Sequence, residues 1–154
     1  MDAKICSVPE LKSTRGRILG VDFGDTRTGL AVSDTDRFLA SGIGYVSPGG
    51  IEKTAAAVAN TARERGVSAV VVGLPKNMDG SEGFRAERCR EFAMLLSQKL
   101  DGMPIAMIDE RLTTMSAARY LNETNTRGKG RKGVIDTLSA QIILQNALDR
   151  LKNC

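Results

Sequence analysis

Residues 67–74 read Val-Ser-Ala-Val-Val-Val-Gly-Leu, a short apolar run in which the central positions carry no polar alternation. A strand exposed on one face alternates apolar with polar residues, so a run without alternation predicts a strand covered on both faces. That requirement constrains the chain more than any other feature, because a sheet covered on both faces needs helices to cover it.

The flanking sequence supplies both. From Ile51, the positions Ile51, Ala55, Val58, Ala59 and Ala62 form one helical stripe that stops at Gly66. Beyond a loop containing Asn77-Met78-Asp79-Gly80, the residues Cys89, Phe92, Ala93, Leu96 and Leu100 form a second stripe. Another short apolar strand follows at Ile105–Ile108. Upstream, Ile18–Phe23 has strand character and Gly24–Gly29 supplies a turn into Leu30–Ser33, which predicts a hairpin. Ser41–Val46 predicts a third antiparallel strand, closed by Ser47-Pro48-Gly49-Gly50. After Arg111 a short helix over Met115–Leu121, a Gly/Lys/Arg loop over Asn125–Gly133 and a final helix over Val134–Leu151 complete the chain. The expected class is α/β, with three antiparallel strands, then parallel strands, and helices on both faces. Residues 1–16, polar with isolated apolar positions, are expected to be a flexible tail, leaving one domain over 17–152.

A chain of 154 residues, 42% hydrophobic, can bury a core of this kind without staples. It has no apolar run long enough to span a bilayer, and its polar opening to Arg17 lacks the apolar stretch of a signal peptide, so a soluble cytoplasmic protein is expected. Cys6, Cys89 and Cys154 are far apart and unpaired by motif, which predicts reduced thiols. The absence of histidine removes Ser-His-Asp and Cys-His catalysis and imidazole-ligated zinc. Catalysis in such a chain falls to carboxylates, cationic groups, hydroxyls or bound metal.

The carboxylates fall at informative places. Asp22 ends an otherwise apolar strand before a glycine-bounded turn, where an ionised group needs a hydrogen bond, a counter-charge or a cation. A turn-stabilising aspartate is the structural alternative. Asp109 and Glu110 follow the strand Ile105–Ile108 at its carboxyl end, where open α/β sheets gather ligands. Neighbouring residues on an extended chain point to opposite faces, so one of the two enters a shared site, and the residues alone leave open which. Asp136 opens the last helix, where a helix dipole accounts for an acid, yet it is in register with Ala140, Ile143 and Ala147 on the stripe that faces the sheet. Three acids in a histidine-free chain suit oxygen-ligand ions such as Mg²⁺ or Mn²⁺, and two ions about 4 Å apart support phosphodiester hydrolysis.

Between Arg111 and Lys132 the chain carries six basic residues (Arg111, Arg119, Arg127, Lys129, Arg131, Lys132) against one acid, Glu123. Such a segment predicts an anionic partner such as nucleic acid, and a solvated charged loop is the plain alternative. With Tyr45, Tyr120 and four phenylalanines in the chain, recognition by shape and charge is expected rather than by a base-stacking platform.

Four motifs in order resemble the YqgF/RuvX family of bacterial RNase H-like proteins: Ile18–Asp34, Val72-Gly73-Leu74-Pro75 with Asp79-Gly80, Asp109–Thr114, and Lys132–Asp136 with Ala140 and Ile142–Gln145. The resemblance runs from about Arg17 to Leu151. It implies an RNase H-like core, kinship with Holliday junction resolvases and a proposed role in maturing the 5′ end of pre-16S ribosomal RNA. Carried over by position, it makes Asp22, Glu110 and Asp136 the catalytic and metal-holding acids, and so selects Glu110 over Asp109. Lys129, Arg131 and Lys132, with Arg111, would contact the phosphates of structured RNA or branched DNA. Resolvases of the RuvC type carry a further acid near the last one, where this chain has Thr137, Leu138 and Ser139.

Two readings of other classes compete. Asp22–Thr26 also resembles the phosphate-binding hairpin of actin-like ATP-binding proteins, but those clamp nucleotide between two lobes and this chain has length for one. A non-catalytic RNA-binding assembly factor could keep the same core and basic segment. A monomer and a homodimer are both compatible with the sequence, symmetric cutting of a junction requiring the dimer.

Overall fold

The computed structural model describes residues 5–110 and 130–154, the first four of the latter by backbone alone. Six strands form one mixed sheet: β1 (Ile5–Cys6), β2 (Ile18–Asp22), β3 (Thr28–Ser33), β4 (Ala40–Val46), β5 (Ala69–Leu74) and β6 (Ile105–Asp109). Their order is β1-β6-β5-β2-β3-β4. Strands β2, β3 and β4 pair antiparallel, whereas β5 runs parallel to β2, and β6 parallel to β5. The α/β expectation of three antiparallel strands followed by parallel ones is therefore the observed fold. Every residue of β5 is buried, as its unbroken apolar run requires.

Helices α1 (Ile51–Arg65) and α2 (Phe84–Lys99) cover one face. Their buried residues include most of the predicted stripes, Ala55, Val58, Ala59 and Ala62 on α1 and Cys89, Phe92, Ala93 and Leu96 on α2, with Ile51 partly buried. Helix α1 ends on Gly66, whose φ of 65° is the left-handed cap that glycine adopts without a Cβ penalty. Helix α3 (Gly130–Lys152) covers the other face, burying Ala140, Ile143, Leu144, Ala147 and Leu148 against Ile18, Ala31, Val71 and Ile108. No helix among the described residues is long and apolar enough to cross a membrane. No disulfide joins Cys6, Cys89 and Cys154.

The tail and the start of the last helix differ most from expectation. Residues before Arg17 are not a tail throughout: Ile5 and Cys6 add a parallel edge strand to β6, and Val8–Ser13 form a 3₁₀ helix. Val8 and Leu11, three residues apart and so on one side of a 3₁₀ turn, are buried in the α3-side core. The Glu10 carboxylate fixes the entry by accepting from the Ser7 hydroxyl at 3.0 Å. Helix α3 begins at Gly130, four residues earlier than predicted, which turns Arg131 and Lys132 from loop residues into helix residues. Asp136 then lies in the second turn, beyond the first-turn position where the dipole alone would explain it. The predicted helix Met115–Leu121 and the loop from Asn125 to Lys129 lie outside the described residues.

Candidate active site

Strands β2, β5 and β6 are mutually parallel, so their carboxyl ends open on one edge of the sheet. Asp22 ends β2, Leu74-Pro75 leaves β5, and Glu110 follows β6 directly. Alternation along β6 puts Ile108 with the α3-side core and Met107 with the α1/α2 side. By the same alternation Glu110 joins Ile108, and Asp109 is directed to the opposite face. Of that pair, it is the Glu110 side chain that lies over Gly73, where an added Cβ would sit 3.0 Å from its Oε1.

The third acid arrives by close packing. Glycines on four adjacent strands, Gly20, Gly29, Gly42 and Gly73, line the track on which α3 lies. A Cβ at Gly20 would stand 2.6 Å from Leu144 Cβ, and one at Gly73 2.6 Å from Ile143 Cδ1. At Gly29 it would overlap the Asp136 carbonyl oxygen outright. Gly29 is the cross-strand partner of Asp22, and such partners project to the same face of a sheet. The missing side chain at Gly29 thus sets the Asp136 backbone against the strand beside Asp22.

Charge responds to this arrangement. The Asp22 carboxyl is pushed up to about 7, first by burial and then by the neighbouring Glu110 and Asp136 carboxylates, with Arg85 opposing. Asp136 accepts from Arg27 Nε at 2.7 Å, in a pair about three-quarters buried. An open cleft of about 550 Å³ adjoins the acids, lined by Asp22 and Glu110 and, from the β5–α2 connection and the start of α2, by Lys76, Asn77, Phe84 and Arg85. The loop that shapes it is cross-braced: Asn77 N–H donates to the Ser81 carbonyl, Gly80 N–H to the Asn77 carbonyl, and Ser81 N–H to Asp79 Oδ1, each at 2.9 Å. Beneath the cleft, Phe23 stacks on Phe92 with ring centroids 4.5 Å apart, tying the end of β2 to α2. The Cys89 thiol, buried there, is pushed up to about 12 by burial and then by Glu110 and Asp22, which removes it as a nucleophile.

Over residues 16–150 the chain matches the sequence pattern of a family described as RuvX, Holliday junction resolvase. The chain belongs to the RuvX family. Among relatives, a protein of Ruminiclostridium cellulolyticum named "Putative pre-16S rRNA nuclease" is 41% identical over 136 residues, 88% of this chain and 95% of its own length. One of the same name from Myxococcus xanthus is 46% identical over 133 residues, 86% of this chain and 87% of its own. In fold, this RuvX-family chain is similar to Thermus thermophilus RuvC in complex with a Holliday junction substrate, with a TM-score of 0.56 at 14% identity, covering 90% of this chain and 96% of that one. The RuvC likeness establishes the RNase H-like core.

Of the residues singled out from sequence, Asp22, Glu110 and Asp136 gather at one edge of the RuvX-family sheet. Among the described residues no group of three acids or thiols is placed to hold one metal ion, and the Asp136 carboxylate accepts from Arg27. The donor set nevertheless suits a hard cation: all three side chains offer oxygen, and Asp22 is burdened by burial and by two like charges that a cation would offset. Arg111 and Lys129 lie outside the described residues, and Arg131 and Lys132 are placed by backbone alone in the first turn of α3. Sequence reasoning missed Arg27, Lys76 and Arg85. Of these, Arg27 alone carried a local signal, its place between Gly24 and Gly29 in the turn that follows Asp22.

Proposed function

We propose that this RuvX-family chain is a metal-dependent nuclease that hydrolyses phosphodiester bonds, with Asp22, Glu110 and Asp136 as its catalytic acids and the 5′ end of pre-16S ribosomal RNA as its substrate. The observation that carries the reading is the Asp22 carboxyl, pushed up to about 7 by burial and two neighbouring carboxylates, in the lining of a cleft that Lys76 and Arg85 also line. Acids alone repel a phosphodiester, so a site of this composition needs a cation to admit one. Family membership supports the class, hydrolase acting on nucleic-acid esters, and the relatives' shared name supports the substrate.

Asp22, Glu110 and Asp136 would hold one or two Mg²⁺ or Mn²⁺ ions. Bound metal supplies an activated water and charge stabilisation for the leaving oxygen, so no imidazole base is required. Lys76 and Arg85, which line the same cleft as Asp22 and Glu110, would hold substrate phosphates, and Arg85 also favours the ionised form of Asp22. Arg27 pairs with Asp136, which would have to leave it to join Asp22 and Glu110 on a bound cation. Lys129, Arg131, Lys132 and Arg111 extend the phosphate contacts without reading sequence.

The test incubates wild type and Asp22→Asn with Mg²⁺ or Mn²⁺ and three substrates: a pre-16S rRNA 5′ leader, a four-way DNA junction and a plain duplex. Cleavage of the leader by wild type, lost in Asp22→Asn, is expected. Preferential junction cutting would instead favour DNA resolution, the description attached to the family. Absence of cleavage with either ion on all three substrates would sink the nuclease reading.

A further inference from the structure

The far end of α3 carries a second charged feature, unconnected with the acids. There the 3₁₀ segment, the β3–β4 turn and the last turn of α3 enclose a pocket of about 330 Å³ lined by Lys12, Arg15, Arg37 and Lys152, with Asp36 as the acid and Phe38 as the aromatic wall. Arg37 is built into the fold. Its backbone sits at φ 62°, unusual for a residue with a side chain, and its guanidinium donates to the Gly16 and Leu11 carbonyls at 2.7 and 3.0 Å and to Thr14 Oγ1 at 2.8 Å. All of these acceptors are neutral. Among the described residues no carboxylate pairs with Arg15, Arg37 or Lys152 within 4.0 Å. Lys152 rests over the Phe38 ring at 4.8 Å, and Lys12 donates to the Cys154 carbonyl.

A surface cation normally lies near an acid. Four cations from three separate segments, one of them locked in a left-handed turn by neutral oxygens, face the single acid Asp36 and leave net positive charge that favours an external anion. Phe38 and Leu39 are exposed beside them, so the patch presents charge along an apolar border. Asp136 and Lys152 lie on the same helix sixteen residues apart, about 24 Å at 1.5 Å per residue, or roughly seven base steps of duplex.

We propose that this patch is a second nucleic-acid contact site that grips the phosphate backbone of the substrate about seven base steps from the catalytic acids. The proposal rests on the nuclease reading for the identity of its ligand. Helix α3 sets the distance, with the acids beside its amino-terminal half and the patch at its carboxyl end. A substrate long enough to span both engages both, and a short one engages either alone.

The test measures binding in the Asp22→Asn background, which removes cutting, with two RNA duplexes of about 5 and about 20 base pairs. Arg15 and Lys152 are exposed and are changed together, Arg15→Gln with Lys152→Gln, and a second protein carries Arg15→Glu alone. The expected result is a tenfold or greater loss of affinity for the long duplex at about 0.1 M salt, with the log–log salt slope shallower by roughly two. Affinity for the short duplex should change less than threefold, and Arg15→Lys with Lys152→Arg should restore long-duplex binding. Unchanged long-duplex affinity and slope in both variants overturns the second site while leaving the nuclease reading intact. Failure of the parent to bind either duplex overturns that reading and the proposal with it. Concentration-dependent self-association of the RNA-free parent, abolished by the same changes, would assign the patch to a second copy of the chain and overturn the proposal.

Discussion

Arg27 Nε lies 2.7 Å from Asp136 Oδ2, joining the β2–β3 turn to helix α3 across 109 residues of sequence. The guanidinium neutralises an acid that otherwise faces Asp22 and Glu110, and so competes with any cation for that carboxylate. Arg27→Gln should therefore strengthen Mn²⁺ binding. A part-exposed pair contributes on the order of 0.5–1 kcal/mol, so a two- to fivefold gain in affinity is expected by calorimetric titration. Weaker binding in the variant would mean that Arg27 positions Asp136 for the cation rather than withholding it.

Asp22 gives a signed prediction in pH. Its folded carboxyl titrates near 7, against 3.8 unfolded, so between those values the folded state binds more protons than the unfolded one. Without divalent cation, stability should fall as pH rises from about 4 to 7 and be flat on either side for this group. Asp22→Asn removes that slope and should be the more stable protein at pH 8 in EDTA, by on the order of 2–4 kcal/mol. Adding Mn²⁺ at a thousand times its Kd should cancel or reverse that gap, because a ligand at that level stabilises the protein that binds it by about 4.1 kcal/mol. Denaturant midpoints at pH 5 and pH 8, with and without Mn²⁺, check both signs.

The glycine track under α3 can be tested at two points that differ in what an added methyl meets. At Gly29 it overlaps the Asp136 backbone oxygen, which no rotamer can relieve. Gly29→Ala should lift the amino-terminal half of α3, lowering stability by about 3 kcal/mol and carrying Asp136 away from Asp22. At Gly42 the methyl meets the Thr137 Cγ2 side-chain atom at 2.5 Å and not a backbone atom, so Gly42→Ala should cost roughly half as much. Equal losses would show that α3 is not seated by the glycines.

These contrasts show what the sequence could and could not disclose. Strand β5 was legible because burial on both faces leaves a run without alternation, and the stripes of α1 and α2 because one period dominates each. Asp22 was legible as an acid ending an apolar strand, and Asp136 as an acid in register with Ala140, Ile143 and Ala147. Strand β1 has two residues, too few for any period, and Val8 with Leu11 makes a single turn, so both read as tail. The glycine track requires the strand order before Gly20, Gly29, Gly42 and Gly73 can be recognised as neighbours. Lys76 and Arg85 carry no local signal, because nothing nearby in the chain connects them to acids at the ends of β2 and β6.

Arg85 should separate binding from the chemical step. It lines the cleft with Asp22 and Glu110 and favours the ionised form of Asp22. Arg85→Gln removes one phosphate contact, so KM for RNA should rise and the log–log salt slope of binding should become shallower by about one. The midpoint of the acid limb in kcat should move upward as well, because Asp22 loses an opposing charge. A change in kcat alone, with the salt slope intact, would place Arg85 outside the substrate path.

Cys89 offers a readout of how tightly the floor of the site is closed. Burial is the first cause of its shift to about 12 and the acids Glu110 and Asp22 come after it. At pH 8 its thiolate is therefore scarce as well as shielded, whereas Cys154 is exposed. A thiol reagent should modify Cys154 at least a hundredfold faster than Cys89, which should react only as the fold opens. Because burial dominates, Asp22→Asn should leave Cys89 nearly as slow, even though one of the charges raising its pKa is gone. Faster modification in that variant, tracking its denaturant sensitivity, would mean that the end of β2 has loosened over Phe92, and the loss of cleavage would then reflect disorder instead of a missing carboxylate.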